Sequence, residues 1–559
     1  MAVGIESILR IVFCFSLITA WNRVNARPQR AHFEFSVQQN YNCSPFDKKN
    51  WSLEGGSHEV YRYTDEREST TNETHDGSTL VSGTSFLKNV GREVSFTDIF
   101  ESMFSAVANG IGSFVTSIIG QEKNVKSRSS KVSYRNHQLI RLFPKTETQV
   151  NDLRHLRNTE PEDLKFWSQP FQNKTTDLVV APDLVADVKT FLKDRGINFK
   201  VLIPNLQKTI VHQNPKMSKE QRDDLVSTQG HSMTWKRYHR YGDILRYMEY
   251  LVLKYPKIVE LITIGHSYEG QPIRMVKIST GPNRVGEAKP VIWIDAGMHA
   301  REWIGTAVAT YIMNQLVEKT ASYTKLLDNS DWMILPVANP DGYEFTHTGD
   351  RFWRKTRSNH GENEEGSRLF QLVNHYARWF WGRCEGVDPN RNFDYHWGEV
   401  DNRGASQDPC DETYAGPHAF SEPETKAMAD YILANKKRIR MYLTLHSYSQ
   451  MWLIPWGYTY SKPSDYSELA NVARKAINAI SKVHGTDYQL GPSSALLYPT
   501  SGASDDWAKG VAGIKYAYTL ELRDRGTFGF LLPASQIVPT AREIWSGIRT
   551  IVRLVTCNT

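Results

Sequence analysis

The sequence predicts an α/β protein: a large unit built on a mixed, largely parallel sheet, preceded by a small α/β sandwich. Three observations carry this. From about His231 to Thr559, apolar strand-like runs alternate with helical patterns, the layout of a parallel sheet covered on both faces. Upstream, from near Lys131, five short elements alternate strand–helix–strand–helix–strand within about 80 residues, enough for one small sandwich. Between them, Asn214 to His231 turns polar and charged and reads as an exposed linker.

The elements follow in order. Met1 to Arg10 is weakly charged, Ile11 to Ala20 is apolar, and Val24-Asn-Ala26 offers small residues for cleavage. Residues 1–26 therefore read as a secretory signal peptide; the apolar run is too short to span a bilayer, so the mature chain is expected to have no membrane span. Residues 27–130 form a polar extension rich in Ser, Thr, Asn and Glu, the composition of a disordered segment, broken by spaced apolar residues over Phe96–Ile119. In the small unit, His137–Phe143 alternates as a strand, Thr146–Arg157 is a helix, Thr176–Val180 a strand, Pro182–Arg195 a helix and Phe199–Ile203 a strand. In the large unit, Val291–Asp295, Trp332–Val337, Met441–Leu445 and Lys515–Leu520 are strands. Gly305–Glu318 and Glu422–Lys436 are helices.

Composition is ordinary for a globular chain, 40% hydrophobic and 23% charged, with a mild net charge of +6. No basic run interleaves with aromatics, so nucleic acid is not an expected partner. Loss of the first 26 residues removes Cys14 and leaves Cys43, Cys384, Cys410 and Cys557. A sparse, even set in an exported chain suggests disulfides, with Cys384 and Cys410 the expected pair; whether Cys43 and Cys557 pair is left open. Asn42, Asn50, Asn72 and Asn173 head glycosylation sequons, meaningful in a secreted, extracellular chain.

Each of the four large-unit strands runs into distinctive polar residues. The first is followed by His299 and Glu302, three residues apart. The second leads to Asn339-Pro-Asp-Gly342 and Arg351-Phe-Trp-Arg354, the third to His446-Ser447-Tyr448, and the fourth to Glu521-Leu-Arg-Asp524. Ligands of open α/β sheets bind beyond the carboxyl ends of the strands, so these four ends are expected to meet in one cleft. An imidazole and a carboxylate offered together suit zinc, which needs three protein ligands when catalytic.

These residues resemble the metallocarboxypeptidase family, in its pancreatic-type procarboxypeptidase subgroup, over about residues 132–559. The motifs are His-Ala-Arg-Glu-Trp at 299–303, Asn-Pro-Asp-Gly at 339–342 and Trp-Arg-Lys-Thr-Arg at 353–357. They continue with Gly-Val-Asp-Pro-Asn-Arg-Asn at 386–392, His-Ser-Tyr-Ser-Gln at 446–450, Tyr-Thr-Leu-Glu-Leu-Arg-Asp at 518–524 and Gly-Phe-Leu-Leu-Pro-Ala-Ser-Gln at 529–536. The resemblance implies an eight-stranded twisted sheet and one Zn2+ held by His299, Glu302 and His446. It implies that Glu521 acts as general base toward the metal-activated water and that Arg354 stabilises the oxyanion. Asn390, Arg391 and Tyr498 match the clamp on the substrate's free carboxylate, which makes the enzyme an exopeptidase; a guanidinium forks well onto a carboxylate. Arg301 and Tyr448 match positions nearer the outer subsites, and Ser447 is a further substrate-binding candidate.

Selectivity in this family depends on the base of the side-chain pocket. Asp505 stands directly before Asp506-Trp507, where A-type enzymes carry an apolar residue, and Ser493 leaves room for a long side chain. A carboxylate in an enclosed pocket favours a Lys or Arg partner, so the B-type reading is expected, with A-type specificity the alternative. Residues 131–222 resemble the inhibitory pro-domain and activation linker, with the catalytic domain at 231–559. A trypsin-like protease cutting near Lys219 or Arg222 is the expected activator, peptide and protein C-termini the expected substrates. A non-catalytic secreted binding protein on the same fold is the other alternative, opposed by five intact chemical positions. The chain departs from the family in the extension 27–130, in roughly twenty extra residues between Lys355 and Cys384, and in one extra residue between Trp507 and Glu521.

Overall fold

The computed structural model describes residues 131–159, 164–283, 285–360, 384–399 and 404–556. The expected signal peptide, the polar extension, most of the long loop 358–383, Cys43, Cys557 and three of the four sequons lie outside them. Asn173 is described and sits in an exposed turn.

The large unit carries an eight-stranded mixed sheet. Its strands are β5 (Val259–His266), β6 (Pro272–Ile278), β7 (Val291–Ala296), β8 (Asp331–Leu335), β9 (Ile439–Ser447), β10 (Met451–Ile454), β11 (Gln489–Pro492) and β12 (Tyr516–Leu522). The order is β11-β10-β12-β9-β7-β8-β6-β5. The four strands read from the sequence are its centre, β12-β9-β7-β8, mutually parallel. The antiparallel pairings β10–β12, β6–β8 and β5–β6 flank them.

Strand β7 shows why the centre reads as unbroken apolar runs. All six of its residues are buried. Ile292, Ile294 and Ala296 join the core on one face, Val291 and Trp293 the core on the other. A strand covered on both faces has no reason to alternate polar residues. The helix Ile537–Thr556 packs its apolar stripe into the first core through Ile544, Ile548 and Ile551. Each such side chain, fully buried, contributes roughly 1.5–3 kcal/mol.

The small unit precedes it as a four-stranded antiparallel sheet, order β2-β3-β1-β4, from β1 (Gln138–Phe143), β2 (Leu164–Phe166), β3 (Thr176–Val180) and β4 (Asn198–Ile203). Helices Glu147–Thr159 and Val185–Asp194 accompany it. The sequence reading omitted β2, whose three residues are too few to show a period, and the helix Leu206–Gln213. Within the stretch Asn214–His231, expected to be an exposed linker, Lys219–Gln229 is a helix. Ser218 and Gln221 close a reciprocal capping box at its start, and Gly230, at φ 85°, ends it. That Ser-x-x-Gln signature satisfies two otherwise unpaired amides. The helix is nonetheless largely exposed, with Arg222 and Leu225 half-buried and no residue fully buried.

The two units meet over an apolar seam. Tyr134, Leu139, Trp167, Val179, Ile203 and Leu206 of the small unit cluster with Phe352, Phe530 and Leu531 of the large one. Trp167 lies 4.9 Å from the Phe352 ring and 4.8 Å from that of Phe530. Gln213 is sealed beside this seam: its amide donates to Phe530 O at 3.0 Å, and its carbonyl accepts from Arg351 Nε at 3.0 Å. No helix among the described residues is long and apolar enough to cross a membrane.

Candidate active site

The site is assembled where β7, β9 and β12 end. Gly297, at φ 66°, turns the chain as β7 finishes; a Cβ there would stand 2.8 Å from Thr306 Oγ1 and 3.3 Å from Val337 Cα. His299 and Glu302 follow on this turn, and the helix Trp303–Glu318 begins at once. Gly305 lets that helix approach β9, since a Cβ would meet Leu445 O at 2.7 Å. The neighbour of Leu445 is His446. On the adjacent parallel strand Glu521 stands in register with His446, so both project from the same face of the sheet.

The three donors converge. His299 Nδ1 lies 2.9 Å from Glu302 Oε1, His446 Nδ1 lies 3.0 Å from Glu302 Oε2, and the two Nδ1 atoms are 3.0 Å apart. Among the described residues, this is the buried cluster of three potential metal ligands, with donor atoms all within 4.8 Å of one another. Two imidazoles and one carboxylate suit zinc and leave a coordination position for water. Burial lowers the pKa of His299 and Arg354 lowers it further, against Glu302 and Asp388, which favours the neutral ligand form. For His446 burial works the same way, but Glu302 and Glu521 outweigh it and push the group up to about 9, so binding a dication here displaces a proton.

The structure adds a residue to which the sequence reading gave no role. Asp388 is fully buried within the Gly-Val-Asp-Pro-Asn-Arg-Asn motif. One of its oxygens accepts from His299 Nε2 at 3.0 Å, which leaves Nδ1 as the free donor atom. Its other oxygen accepts from Arg354 Nε and Nη2 at 3.1 and 2.7 Å, and Arg391 Nη1 lies 3.8 Å away. Burial opposes this carboxylate's charge, yet Arg354, Arg391 and His299 hold it well below the usual range. The Asp-Pro-Asn-Arg string was visible, but its use of Asp388 depends on strands far away in sequence. Asn339 is a second such residue: its amide donates to Met298 O and Lys355 O at 3.2 and 2.9 Å, joining the His299 turn to the Arg354 segment.

A cavity of about 310 Å³ opens on the cluster. His299, Glu302, Arg354, Asn390, Arg391, Ser447, Tyr448, Ser493, Tyr498, Asp505 and Glu521 all line it. His446 is buried behind it, and Arg301 lies outside it with its guanidinium 4.4 Å from the Phe530 ring centre. Arg301 also donates to Glu412 at 2.7 Å. Glu521 is pushed up to about 8, first by burial and then by Glu302, against the pull of His446 and Arg354. Arg354 is held cationic, because Asp388, Tyr498 and Glu302 outweigh burial. Asn390 Oδ1 accepts from Ser504 N at 2.9 Å, Arg391 donates to Gly404 O, and Ser447 N donates to Glu302 at 3.0 Å. Asp505 is buried with Oδ2 unpaired, and its pKa is raised, chiefly by burial.

The small unit supplies a further wall, including Arg141, Trp167, Phe171, Lys174 and Asp177. Phe171 stacks on Tyr498, centroids 5.1 Å apart and planes within 6°. Asp177 accepts from Tyr448 Oη and, at 2.7 and 2.6 Å, from Arg141. Cys384 and Cys410 form a disulfide with Cα atoms 4.8 Å apart, pinning the loop that carries Asp411 and Glu412.

A cluster of two histidines and a glutamate at the carboxyl ends of the central strands, with a carboxylate and a guanidinium beside it, defines a metallohydrolase. A family model described as zinc carboxypeptidase matches residues 244–547, and one described as carboxypeptidase activation peptide matches residues 140–213. Carboxypeptidase B of Astacus astacus is 45% identical over 323 residues, covering 58% of this chain and 98% of that protein. Carboxypeptidase A2 of Mus musculus is 39% identical over 422 residues, covering 75% and 93%. The crystal structure of thrombin activatable fibrinolysis inhibitor superposes with a TM-score of 0.66 at 35% identity, covering 76% of this chain and all of that one. The chain belongs to the zinc carboxypeptidase family, as a zymogen that carries its activation peptide. Zinc is its metal, and the His299–Glu302–His446 cluster has the donors to hold it.

Proposed function

We propose that this protein is a secreted zymogen whose activated form removes Lys and Arg from peptide C-termini. The observation that carries the specificity is Asp505: a buried carboxylate with an unpaired oxygen, lining the cavity beside the small Ser493. An unpaired buried charge is costly, and a basic side chain entering this pocket would relieve it. The substrate's terminal carboxylate meets Arg391, Asn390 and Tyr498. An internal peptide segment brings no such anion, so the clamp selects chain ends.

Bound zinc supplies Lewis acidity toward the scissile carbonyl and acidifies water. His299, Glu302 and His446 fix the metal's place, and Asp388 fixes the tautomer of His299. Glu521, on the same sheet face as His446, accepts the proton of the attacking water and returns it to the leaving amine. Arg354 presents a guanidinium, oriented by Asp388, to the oxygen on which negative charge develops. Asp388→Asn is expected to weaken zinc binding by about 10- to 100-fold, measured by competition with a chelator. Unchanged affinity would remove Asp388 from the support of the site.

The activation peptide keeps the precursor silent by walling the cleft with Trp167, Phe171 and Asp177. The intact protein is expected to be nearly inactive on long peptides and to gain activity when trypsin cuts near Lys219 or Arg222. The test is cleavage of paired peptides ending in Arg and in Phe, before and after trypsin. Preferred release of Phe would overturn the basic specificity, and equal activity before and after cleavage the zymogen reading.

A further inference from the structure

The activation peptide docks with basic side chains. Lys165 Nζ meets Asp350 Oδ2 at 2.8 Å, and Arg157 pairs with Asp411. Lys131 donates to His347 O at 3.0 Å, Arg141 to Arg525 O at 2.8 Å, and Lys174 to Ala495 O and Leu496 O at 2.8 and 2.7 Å. The two acceptor carboxylates share a design. Asp350 Oδ1 accepts from Phe352 N at 2.9 Å, and Asp411 Oδ1 accepts from Thr413 N at 2.8 Å and Thr413 Oγ1 at 2.9 Å. In each, one oxygen accepts from a backbone amide of its own loop and the other is aimed at a cation of the activation peptide; Asp350 Oδ1 also accepts from the Tyr134 hydroxyl of the small unit at 2.6 Å. Release of the peptide leaves two oriented carboxylate oxygens facing water.

Their loops adjoin the cleft through neighbours: Phe352 clusters with Phe530, which lines it, and Arg301, 4.4 Å over the Phe530 ring, pairs with Glu412. Arg301 joins their two loops, donating to Phe352 O at 3.1 Å and to Glu412 at 2.7 Å. The nearby cations are already engaged: Arg301 by Glu412, Arg351 by Arg301 O and Phe530 O at 3.0 and 2.6 Å, and Lys355 by Pro409 O at 2.7 Å.

Resting on the reading of the cleft as a Lys/Arg-specific exopeptidase site, we infer that Asp350 and Asp411 form a cation-accepting rim. The rim takes basic side chains preceding the substrate's last residue, so the favoured substrates are peptides with polybasic C-terminal stretches. The activation peptide occupies the same acceptors in the zymogen, and its bound lysine and arginine show which chemistry they take.

The experiment uses trypsin-activated enzyme separated from the severed peptide. It compares peptides that end in the same lysine and carry either lysines or alanines over the three preceding positions. An acylated dipeptide ending in lysine, too short to reach the rim, is the control. Upstream lysines are expected to raise kcat/KM through KM by about two- to fivefold each, an advantage that fades with added salt. Asp350→Asn with Asp411→Asn should erase that advantage and leave control hydrolysis unchanged. Equal kcat/KM for the two peptides while the control is cleaved would overturn the rim alone, as would an advantage that persists in the double variant. Failure to cleave the control would strike the underlying reading of the cleft and the rim with it.

Discussion

Glu521→Gln is expected to lower kcat/KM by about 10²–10⁴-fold, the scale of a lost general base. The residue's position supports this. Glu521 is in register with His446 across β9 and β12, and with Thr519 it lines the same cavity. Glutamine keeps the shape but cannot take a proton. The zinc content should stay near one per chain, because Glu521 is outside the converging set of His299, Glu302 and His446. Metal analysis and peptide hydrolysis on the same activated sample make the check. Activity within tenfold of the parent would remove Glu521 from the proton transfer. Loss of zinc together with activity would mark it as part of the metal site instead.

Asp505→Leu is expected to invert specificity. Cleavage of C-terminal Arg and Lys should fall by roughly 30- to 5,000-fold, the cost of about 2–5 kcal/mol for leaving the partner's buried charge unpaired. Cleavage of C-terminal Phe should rise, since an apolar pocket floor no longer has to desolvate a carboxylate. Asp506 should not reproduce the effect, because its oxygens already accept from Gly457 N at 2.9 and 2.8 Å and from Tyr458 N at 3.0 Å. The two neighbouring aspartates thus divide: one holds a loop, the other keeps an oxygen free. A parent enzyme that prefers Phe, or a variant that still prefers Arg, would sink the assignment.

The parts of the fold legible in the sequence were those with a local physical cause. Strands β7, β8, β9 and β12 are covered on both faces, so they read as apolar runs, and polar residues at their ends stand out. Strand β2, with three residues, has no period to detect. The helix Lys219–Gln229 carried a local signal, Ser218 and Gln221, which the surrounding polar composition obscured. The metal donors, Glu521 and Arg354 were legible through motifs. The connections of Asp388 were not, because they exist only after β7 and the Arg354 segment have folded around it. Nor could the sequence show that Phe171 lies flat on Tyr498, since that contact joins two separately patterned units.

The capped helix Lys219–Gln229 bears on the timing of activation. Proteases bind extended chain, so the proposed cut near Lys219 or Arg222 needs the helix to open first. An isolated helix of 11 residues is marginal in water, and none of this one's residues is fully buried against the rest of the molecule. Its first turns are held by the cap and by the pair of Arg222 with Asp243 at 3.2 Å, its last by Gln229, whose amide donates to His231 O and Met233 O at 3.0 and 2.8 Å. Fraying of one helical turn thus becomes a kinetic gate, its opening constant multiplying the protease's own rate. Anything that steadies that turn would delay the appearance of activity without touching the catalytic cleft.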